Sequence, residues 1–367
     1  MRKINAAIIG MGFIGKRHYE ALCRIPGIRI RAICASSRTL EAVQQNYEAD
    51  YFTDDWRKVI ADREVEAVHV CTPNILHDEI NLAAIAAGKH VYAEKPMSIT
   101  TEGAQQVWEA AKAAGIANAI NYQYRMNAAV QEMRARIAAG KNGRTLYVSG
   151  QYLQDSVARP TDYTPRRIPE TSPARAVLDI GVHWADTVSC VMGVPIARVY
   201  AKMHTHHPIR TDPATGRQIP VHSDDTTAVM IELADGTPGS ALFSKCMLGH
   251  KNDLRVVVSG EGAELCWMQE QCDRLYIGNR GLGNEELKMD ASVMDPEAAS
   301  CLAMPAGHAP GWQDAQKNAA EAFYRSIREE NWASGKVPYA TFYDGVMGNR
   351  FVDACLQSSR EDRWISL

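Results

Sequence analysis

The sequence predicts an α/β chain in two parts. A doubly wound parallel sheet comes first, and an α+β part with a large open, mainly antiparallel sheet follows. Strand-like and helix-like stretches alternate over roughly the first 120 residues. A glycine pattern, Gly10-Met11-Gly12-Phe13-Ile14-Gly15, lies between the first strand and the first helix. After about residue 124 strands come in runs, with few helices between them. A length of 367 residues accommodates about two to three domains. The texture change divides the chain into residues 1–123 and residues 124–367.

The elements follow in order. Asn5–Ile9 is a short apolar run ending at a glycine, and Ile14–Ile25 is helical until Pro26-Gly27 stops it. Ile28–Ala35 enters a sheet, and Val65–Thr72 is a strand closed by Pro73. Ile80, Ala83, Ala84 and Ala87 fall on one helical face, with Gly88 beyond the end as a cap. His90–Ala93 is a strand. Val107, Ala110, Ala111 and Ala114 repeat the helical spacing before Gly115, and Ile116–Ile120 is a strand again. In the second part a strand over 144–154 precedes a Pro/Arg-rich loop from Ala158 to Pro173 and a single helix, Ala176–Met192. Strands are then predicted over 196–206, 224–234, 238–248, 254–260 and, with a break, 263–278. Asp235-Gly236 marks a hairpin between two of them. Helices return at about 313–330 and 341–357.

Composition excludes several classes. Hydrophobic residues at 46% and charged residues at 23% are ordinary for a globular protein. A net charge of −3 gives no electrostatic case for nucleic acid or an anionic membrane. No run of 18 apolar residues is present, so no membrane span is expected. Nine cysteines are scattered without a CxxC pair, which argues against a zinc ribbon or a thioredoxin-type site and suits a reducing compartment. The N-terminus has no signal-peptide pattern, so the expectation is a cytoplasmic protein. His204-Thr205-His206-His207 sits at a strand end, where alternate side chains diverge, and no metal is expected there.

The GxGxxG stretch stands after a strand and before a helix, the context that gives the pattern meaning. Gly10 permits a tight turn, Gly12 lets a pyrophosphate approach, and Gly15 lets helix and strand pack closely. Phe13 and Ile14 lie between them, where helical N–H groups and the positive dipole end meet the phosphates. These features predict a Rossmann-type dinucleotide site. The second strand ends in Cys34-Ala35-Ser36-Ser37-Arg38, without the acid that usually holds the ribose 2′-hydroxyl in NAD-specific sites. Ser36, Ser37 and Arg38 suit a 2′-phosphate instead, so NADP is preferred over NAD. The other reading has Arg38 stacking on adenine or facing water, with NAD still used.

His90-Val91-Tyr92-Ala93-Glu94-Lys95-Pro96 sits where a strand of the first part ends, the side on which open α/β sheets bind ligands. Glu94 and Lys95 therefore belong near the nicotinamide, and Lys95-Pro96 is a candidate cis peptide. With the glycine motif, Thr72-Pro73-Asn74 with His77, and Glu94-Lys95-Pro96, the sequence resembles the glucose–fructose oxidoreductase/inositol dehydrogenase/MocA family. Asp179-Ile180-Gly181-Val182-His183 is similar to that family's Asp-x-Gly-x-His segment. The resemblance implies an NAD(P)-binding Rossmann domain over 1–123. It implies a substrate-binding and oligomerisation domain over 124–367, whose open sheet packs on another subunit in a homodimer or homotetramer. It also implies oxidoreduction of a sugar, polyol or related cyclic alcohol. Thr72, Pro73, Asn74 and His77 would then form a cofactor-side loop.

The residue types fit that chemistry. Asp179 and His183 are four apart on a predicted helix and share a face. A neutral imidazole takes a hydroxyl proton near neutral pH, which assigns His183 as general base. Asp179 orients the ring or binds a neighbouring hydroxyl, and the Lys95 ammonium favours alkoxide character on the reacting oxygen. Arg125 reaches either the cofactor or an interdomain ion pair. Tyr152 and Gln154 lie on one strand face and are polar enough to read sugar hydroxyls, beside Gln151 and Asp155. Arg166 and Arg167 lie in the Pro/Arg-rich loop, and Arg167 is a candidate substrate ligand. Asp186 could support His183 from one turn away. Two other readings remain: a glycosidase that uses bound NAD(P) transiently, and a non-enzymatic dinucleotide sensor.

Overall fold

The computed structural model describes residues 2–163 and 174–367, so Arg166 and Arg167 lie outside the described residues. The chain forms two compact units, Met1–Met126 with Gln313–Asn349, and Asn127–Trp312 with Arg350–Leu367.

The first unit is built on β1 (Ile4–Ile9), β2 (Ile28–Cys34), β3 (Tyr51–Thr53), β4 (Ala67–Val70), β5 (His90–Ala93) and β6 (Asn118–Ile120). All pair in parallel, in the order β3-β2-β1-β4-β5-β6. The order reverses between β1 and β4, and the crevice beyond the carboxyl ends at that switch is where such sheets take ligands. The connecting helices are α1 (Phe13–Cys23), α2 (Leu40–Asn46), α3 (Trp56–Ala61), α4 (His77–Ala86) and α5 (Thr101–Ala114). The strands read as continuous apolar runs because both sheet faces are covered; Ile4, Ala6, Ala7, Ile8 and Ile9 are all buried. The predicted alternation holds. What the pattern passes over is short: β3, α2 and α3, too brief to show a period.

The boundary at 123/124 needs correction at the far end of the chain. Residues 313–349 belong with the first unit, not with the second. Ala315, Ala319, Ala320, Phe323 and Ile327 form a buried stripe on the helix Trp312–Glu329. That stripe finds apolar partners on the parallel sheet, with Phe323 edge-on to Tyr92 at 5.4 Å. The loop after it is tied down as well, since Ile120 N donates to Ala340 O at 2.9 Å.

The second unit opens with α6 (Ala128–Ala138) and β7 (Thr145–Leu153). A π-turn, Val177–Gly181, then leads into α7 (Val182–Met192). The strands β8 (Ile196–His204), β9 (Ile209–Thr211), β10 (Gln218–Pro220), β11 (Thr226–Leu233), β12 (Pro238–Ser244), β13 (Asp253–Gly260), β14 (Glu264–Met268), β15 (Arg274–Gly278) and β16 (Glu285–Lys288) follow. The chain closes with α8 (Pro296–Ala299), α9 (Trp312–Glu329), α10 (Phe342–Glu361) and β17 (Ile365–Ser366). Among the described residues one sheet runs β16-β15-β14-β13-β7-β12-β11-β8-β17, and β9 and β10 form a separate hairpin. Its pairs are antiparallel except β12 with β7, as the uninterrupted strand runs predict.

The single helix expected over Ala176–Met192 is corrected to a π-turn followed by an α-helix. Its start is pinned by the Asp224 carboxylate, which accepts from Arg175 N at 2.6 Å and Val177 N at 3.0 Å. Four residues on, Gly181 lies against Phe243, where a Cβ would come within 2.9 Å of the ring. A widened turn joins these two fixed points. No described helix is long and apolar enough to cross a membrane.

Gly150, inside β7, tests how tightly this sheet packs. A Cβ there would stand 2.1 Å from Arg255 O and 2.2 Å from Trp184 Nε1. Gly150→Ala should therefore lower stability by about 1–3 kcal/mol, read as a lower urea midpoint at unchanged slope. An unchanged midpoint would contradict this packing.

Candidate active site

The first unit places the glycine motif between the end of β1 and α1. Gly10 has φ +101°, and a Cβ would stand 2.5 Å from Cys71 O. Gly15 sits so close to the loop that a Cβ would meet Gly10 O at 1.9 Å. Gly12, by contrast, would find nothing within 4 Å. It caps α1 without any side chain taking up the first-turn N–H groups. Two glycines are thus required by packing, and the middle one borders open space before a helix N-terminus, which fits a dinucleotide pyrophosphate. Phe13 is exposed and carries the Arg17 guanidinium 5.7 Å from its ring centroid; Ile14 is half-buried.

Ser36, Ser37 and Arg38 are exposed on the turn after β2, where Ser36 Oγ meets Thr39 Oγ1 at 2.8 Å. Thr72 follows β4, and its buried Oγ1 has no hydrogen-bond partner among the described residues. An orphaned hydroxyl here also fits a bound group. Pro73 and Asn74 are exposed. His77 does not present its ring to a ligand. It is fully buried, with Nδ1 2.8 Å from Pro96 O and Nε2 2.9 Å from Thr72 O, so it ties together the loops after β4 and β5.

Glu94 and Lys95 leave the end of β5, and the Lys95–Pro96 peptide is cis as the sequence predicts. Glu94 is 5% exposed, with Oε2 accepting from Lys95 N at 3.1 Å and Oε1 from Asn121 Nδ2 at 2.5 Å. Its Oε1 also meets His18 Nε2 at 3.0 Å. Lys95 is half-buried. Arg125 pairs with Asp344 at 3.0 Å, and both belong to the first unit. Cys71 is a core residue, its thiol pushed well up by burial and by Glu94.

The second unit holds Asp179, His183, Tyr152 and Gln154. Asp179 lies in the π-turn and pairs with Lys245, a residue that carries no motif and that sequence reasoning passed over. Lys245 follows β12 and is itself buried, its ammonium brought to the Asp179 carboxylate by the strand end. His183 is buried on α7, its ring centroid 6.3 Å from that of Tyr152. Tyr152 Oη donates to Asn252 Oδ1 at 2.7 Å and Gln154 Nε2 to the same oxygen at 3.0 Å, as residues two apart along one strand can. Gln151 instead donates to Asp253 at 2.6 Å, and Asp155 pairs with Lys251. Asp186 is buried on α7. In the histidine run, His206 N and His207 N donate to the Asp225 carboxylate, and His206 Nε2 meets Thr226 Oγ1 at 2.9 Å. No group of three or more metal-ligating side chains occurs among the described residues.

Two family models match this chain. An oxidoreductase family with an NAD-binding Rossmann fold, GFO_IDH_MocA, covers residues 4–122, and a GFO/IDH/MocA C-terminal domain covers residues 130–266. Levoglucosan dehydrogenase of Pseudarthrobacter phenanthrenivorans is 26% identical, over 100% of this chain and 99% of that protein. D-glucoside 3-dehydrogenase of Escherichia coli is 27% identical over 58% of this chain and 61% of its own length. Among solved structures, levoglucosan dehydrogenase in complex with NADH and L-sorbose superposes with TM-score 0.91 at 27% identity, covering 100% of this chain and 99% of that one. An inositol dehydrogenase homologue from Azotobacter vinelandii, complexed with NADH and myo-inositol, gives 0.87 at 25% identity, covering 100% and 98%.

The Arg125–Asp344 pair makes a pH-dependent prediction. Burial pushes the Asp344 carboxyl up, but the Arg125 guanidinium and the Thr341 N–H outweigh it and hold the group below its ordinary range. A depressed carboxyl contributes stability above its unfolded value and loses it as pH falls through the folded one. Arg125→Ala should therefore cost about 1–3 kcal/mol at neutral pH, with the gap closing under acid. A gap that does not change with pH in urea melts would contradict this.

Proposed function

Because the chain belongs to the glucose–fructose oxidoreductase/inositol dehydrogenase/MocA oxidoreductase family, we propose that it moves a hydride between a sugar or polyol secondary alcohol and nicotinamide. The observation that carries this reading is the full-length match to a sugar dehydrogenase whose structures hold NADH with levoglucosan or L-sorbose. A related cyclic alcohol falls in the same substrate class, since an inositol dehydrogenase homologue matches over its whole length. The non-enzymatic sensor is disfavoured by the presence of Lys95, Asp179 and His183 together.

The bound dinucleotide supplies the hydride acceptor. Gly10, Gly12 and Gly15 with the first turn of α1 would hold its phosphates, and Thr72 Oγ1 would supply a further polar contact. His183 takes the hydroxyl proton as the carbon gives up its hydride. Asp179, oriented by Lys245, binds a neighbouring substrate hydroxyl. Lys95 stabilises developing negative charge on the reacting oxygen. Tyr152 and Gln154, fixed on Asn252, read further hydroxyls of the ring.

NADP is the proposed preference, with NAD accepted. Ser36, Ser37 and Arg38 replace an acid at the end of β2, and all three are exposed. The NADH complexes of related structures make NAD the competing cofactor. The open face of the second unit's sheet, where Tyr147 and Met230 are exposed, is the proposed contact of a homodimer or homotetramer. Nine free cysteines suit the cytoplasm.

The test is reduction of NADP⁺ and NAD⁺ by a panel of sugars, polyols and glycosides. Wild type should reduce the dinucleotide with at least one of them, and His183→Ala should lose at least about a hundredfold in kcat. Near-normal turnover by His183→Ala would remove its role. Released free sugar with no net reduction would favour the transient-redox glycosidase. Calorimetry with each dinucleotide decides the cofactor, and equal dissociation constants would sink the NADP preference.

A further inference from the structure

A line of buried polar side chains runs from α9 to the end of β5. Tyr324 Oη meets His69 Nε2 at 2.8 Å, His69 Nδ1 meets His18 Nδ1 at 2.7 Å, and His18 Nε2 meets Glu94 Oε1 at 3.0 Å. His18, His69 and Tyr324 have no solvent exposure. They come from α1, β4 and α9, three segments distant in sequence. The sequence motifs account for Glu94 but for none of the other three.

Proton counting gives the line a direction. A neutral imidazole has one N–H donor and one acceptor nitrogen. The two facing Nδ1 atoms need a single proton between them. The Glu94 carboxylate is approached by N–H donors from Lys95 and Asn121, the pattern of an acceptor-only group. With Glu94 accepting, His18 carries its proton on Nε2, which leaves its Nδ1 as acceptor. His69 must then donate from Nδ1, so its Nε2 accepts the Tyr324 hydroxyl proton. With both rings neutral and Glu94 ionised, every bond is satisfied in one arrangement, Tyr324 to His69 to His18 to Glu94. The opposite arrangement requires a proton on Glu94 or a second proton on His18, and the second proton would make the His18–Glu94 contact an ion pair. His69 stacks on Tyr92 at 4.9 Å, and burial with the facing His18 holds it well below the usual histidine range, which keeps it neutral. Asn121 completes the surround, since its Oδ1 accepts from Tyr92 Oη.

We infer that His18 is a positioning residue for the Glu94–Lys95 segment, and that His69 and Tyr324 fix the tautomer it needs to donate to Glu94. The consequence for turnover rests on the oxidoreductase reading above, because Lys95 must face the reacting oxygen for its placement to matter. The tautomer assignment does not depend on that reading.

The experiment is nitrogen NMR of the full chain carrying ¹⁵N-histidine, with and without dinucleotide, assigned through His18→Gln and His69→Asn. The expected result is His18 protonated only at Nε2 and His69 only at Nδ1. Protons on His18 Nδ1 and His69 Nε2, or a doubly protonated ring in either, would overturn the inference. Kinetics provide the second arm. His18→Gln retains an N–H donor toward Glu94 and should keep most of kcat. His18→Leu should lose about tenfold or more in kcat, with little change in the KM for dinucleotide. Equal kcat in the two variants would overturn the positioning role. If wild type turned over no alcohol, the functional reading would fail while the nitrogen shifts still tested the wiring.

Discussion

Where the loop after β1 crosses the end of β4, a Cβ on Gly10 would stand 2.5 Å from Cys71 O, and one on Gly15 would stand 1.9 Å from Gly10 O. Nothing but backbone fits at either place. That close approach brings the start of α1 against the end of the sheet, and the rest of the first unit is arranged around it. It leaves the uncapped helix terminus at the switch in strand order, beside the Thr72 hydroxyl. It also sets α1 so that His18, on its inner face, reaches across to β4 and β5. The close approach that leaves the α1 N-terminus open therefore also positions a side chain that holds Glu94.

Below this ligand end, polar groups occupy positions that the sheet would otherwise fill with apolar ones. His69 and Tyr92 stand on neighbouring strands, and Asn121 follows β6. Buried polar groups are tolerated when every partner is in place. Here the partners come from the strands, α1 and α9, so α9 is tied to the first 120 residues or so. His77 does similar work above the sheet, bridging the loops that carry Thr72 and Pro96. Three of the unit's histidines, His18, His69 and His77, thus tie loops or segments together through both ring nitrogens.

Much of this was legible in the sequence, for definite reasons. Both sheets showed themselves because a buried parallel strand is continuously apolar and a run of strands without helices pairs antiparallel. The glycine motif and Glu94-Lys95-Pro96 were legible because they are local, each fixed by a turn between two elements. The short elements β3, α2 and α3 span too few residues to show a period. The return of Gln313–Asn349 to the first unit was not legible, because an amphipathic stripe states that it needs a partner and not which one. Lys245 escaped for the same reason: its meaning comes from Asp179, which lies 66 positions away. The i, i+4 spacing of Asp179 and His183 was correct as arithmetic, but the π-turn changes the angle between them. The Asp344 partner of Arg125 was not legible, because it lies 219 positions away.

Direct hydride transfer from the alcohol carbon is tested by incubating the enzyme with oxidised dinucleotide and an alcohol substrate deuterated at the reacting carbon, then locating the deuterium by mass spectrometry and NMR. Deuterium on C4 of the nicotinamide, on one face only, with a slower turnover than the protiated alcohol, is the predicted result. Deuterium that stays with the sugar or appears in water, while product forms, would contradict it.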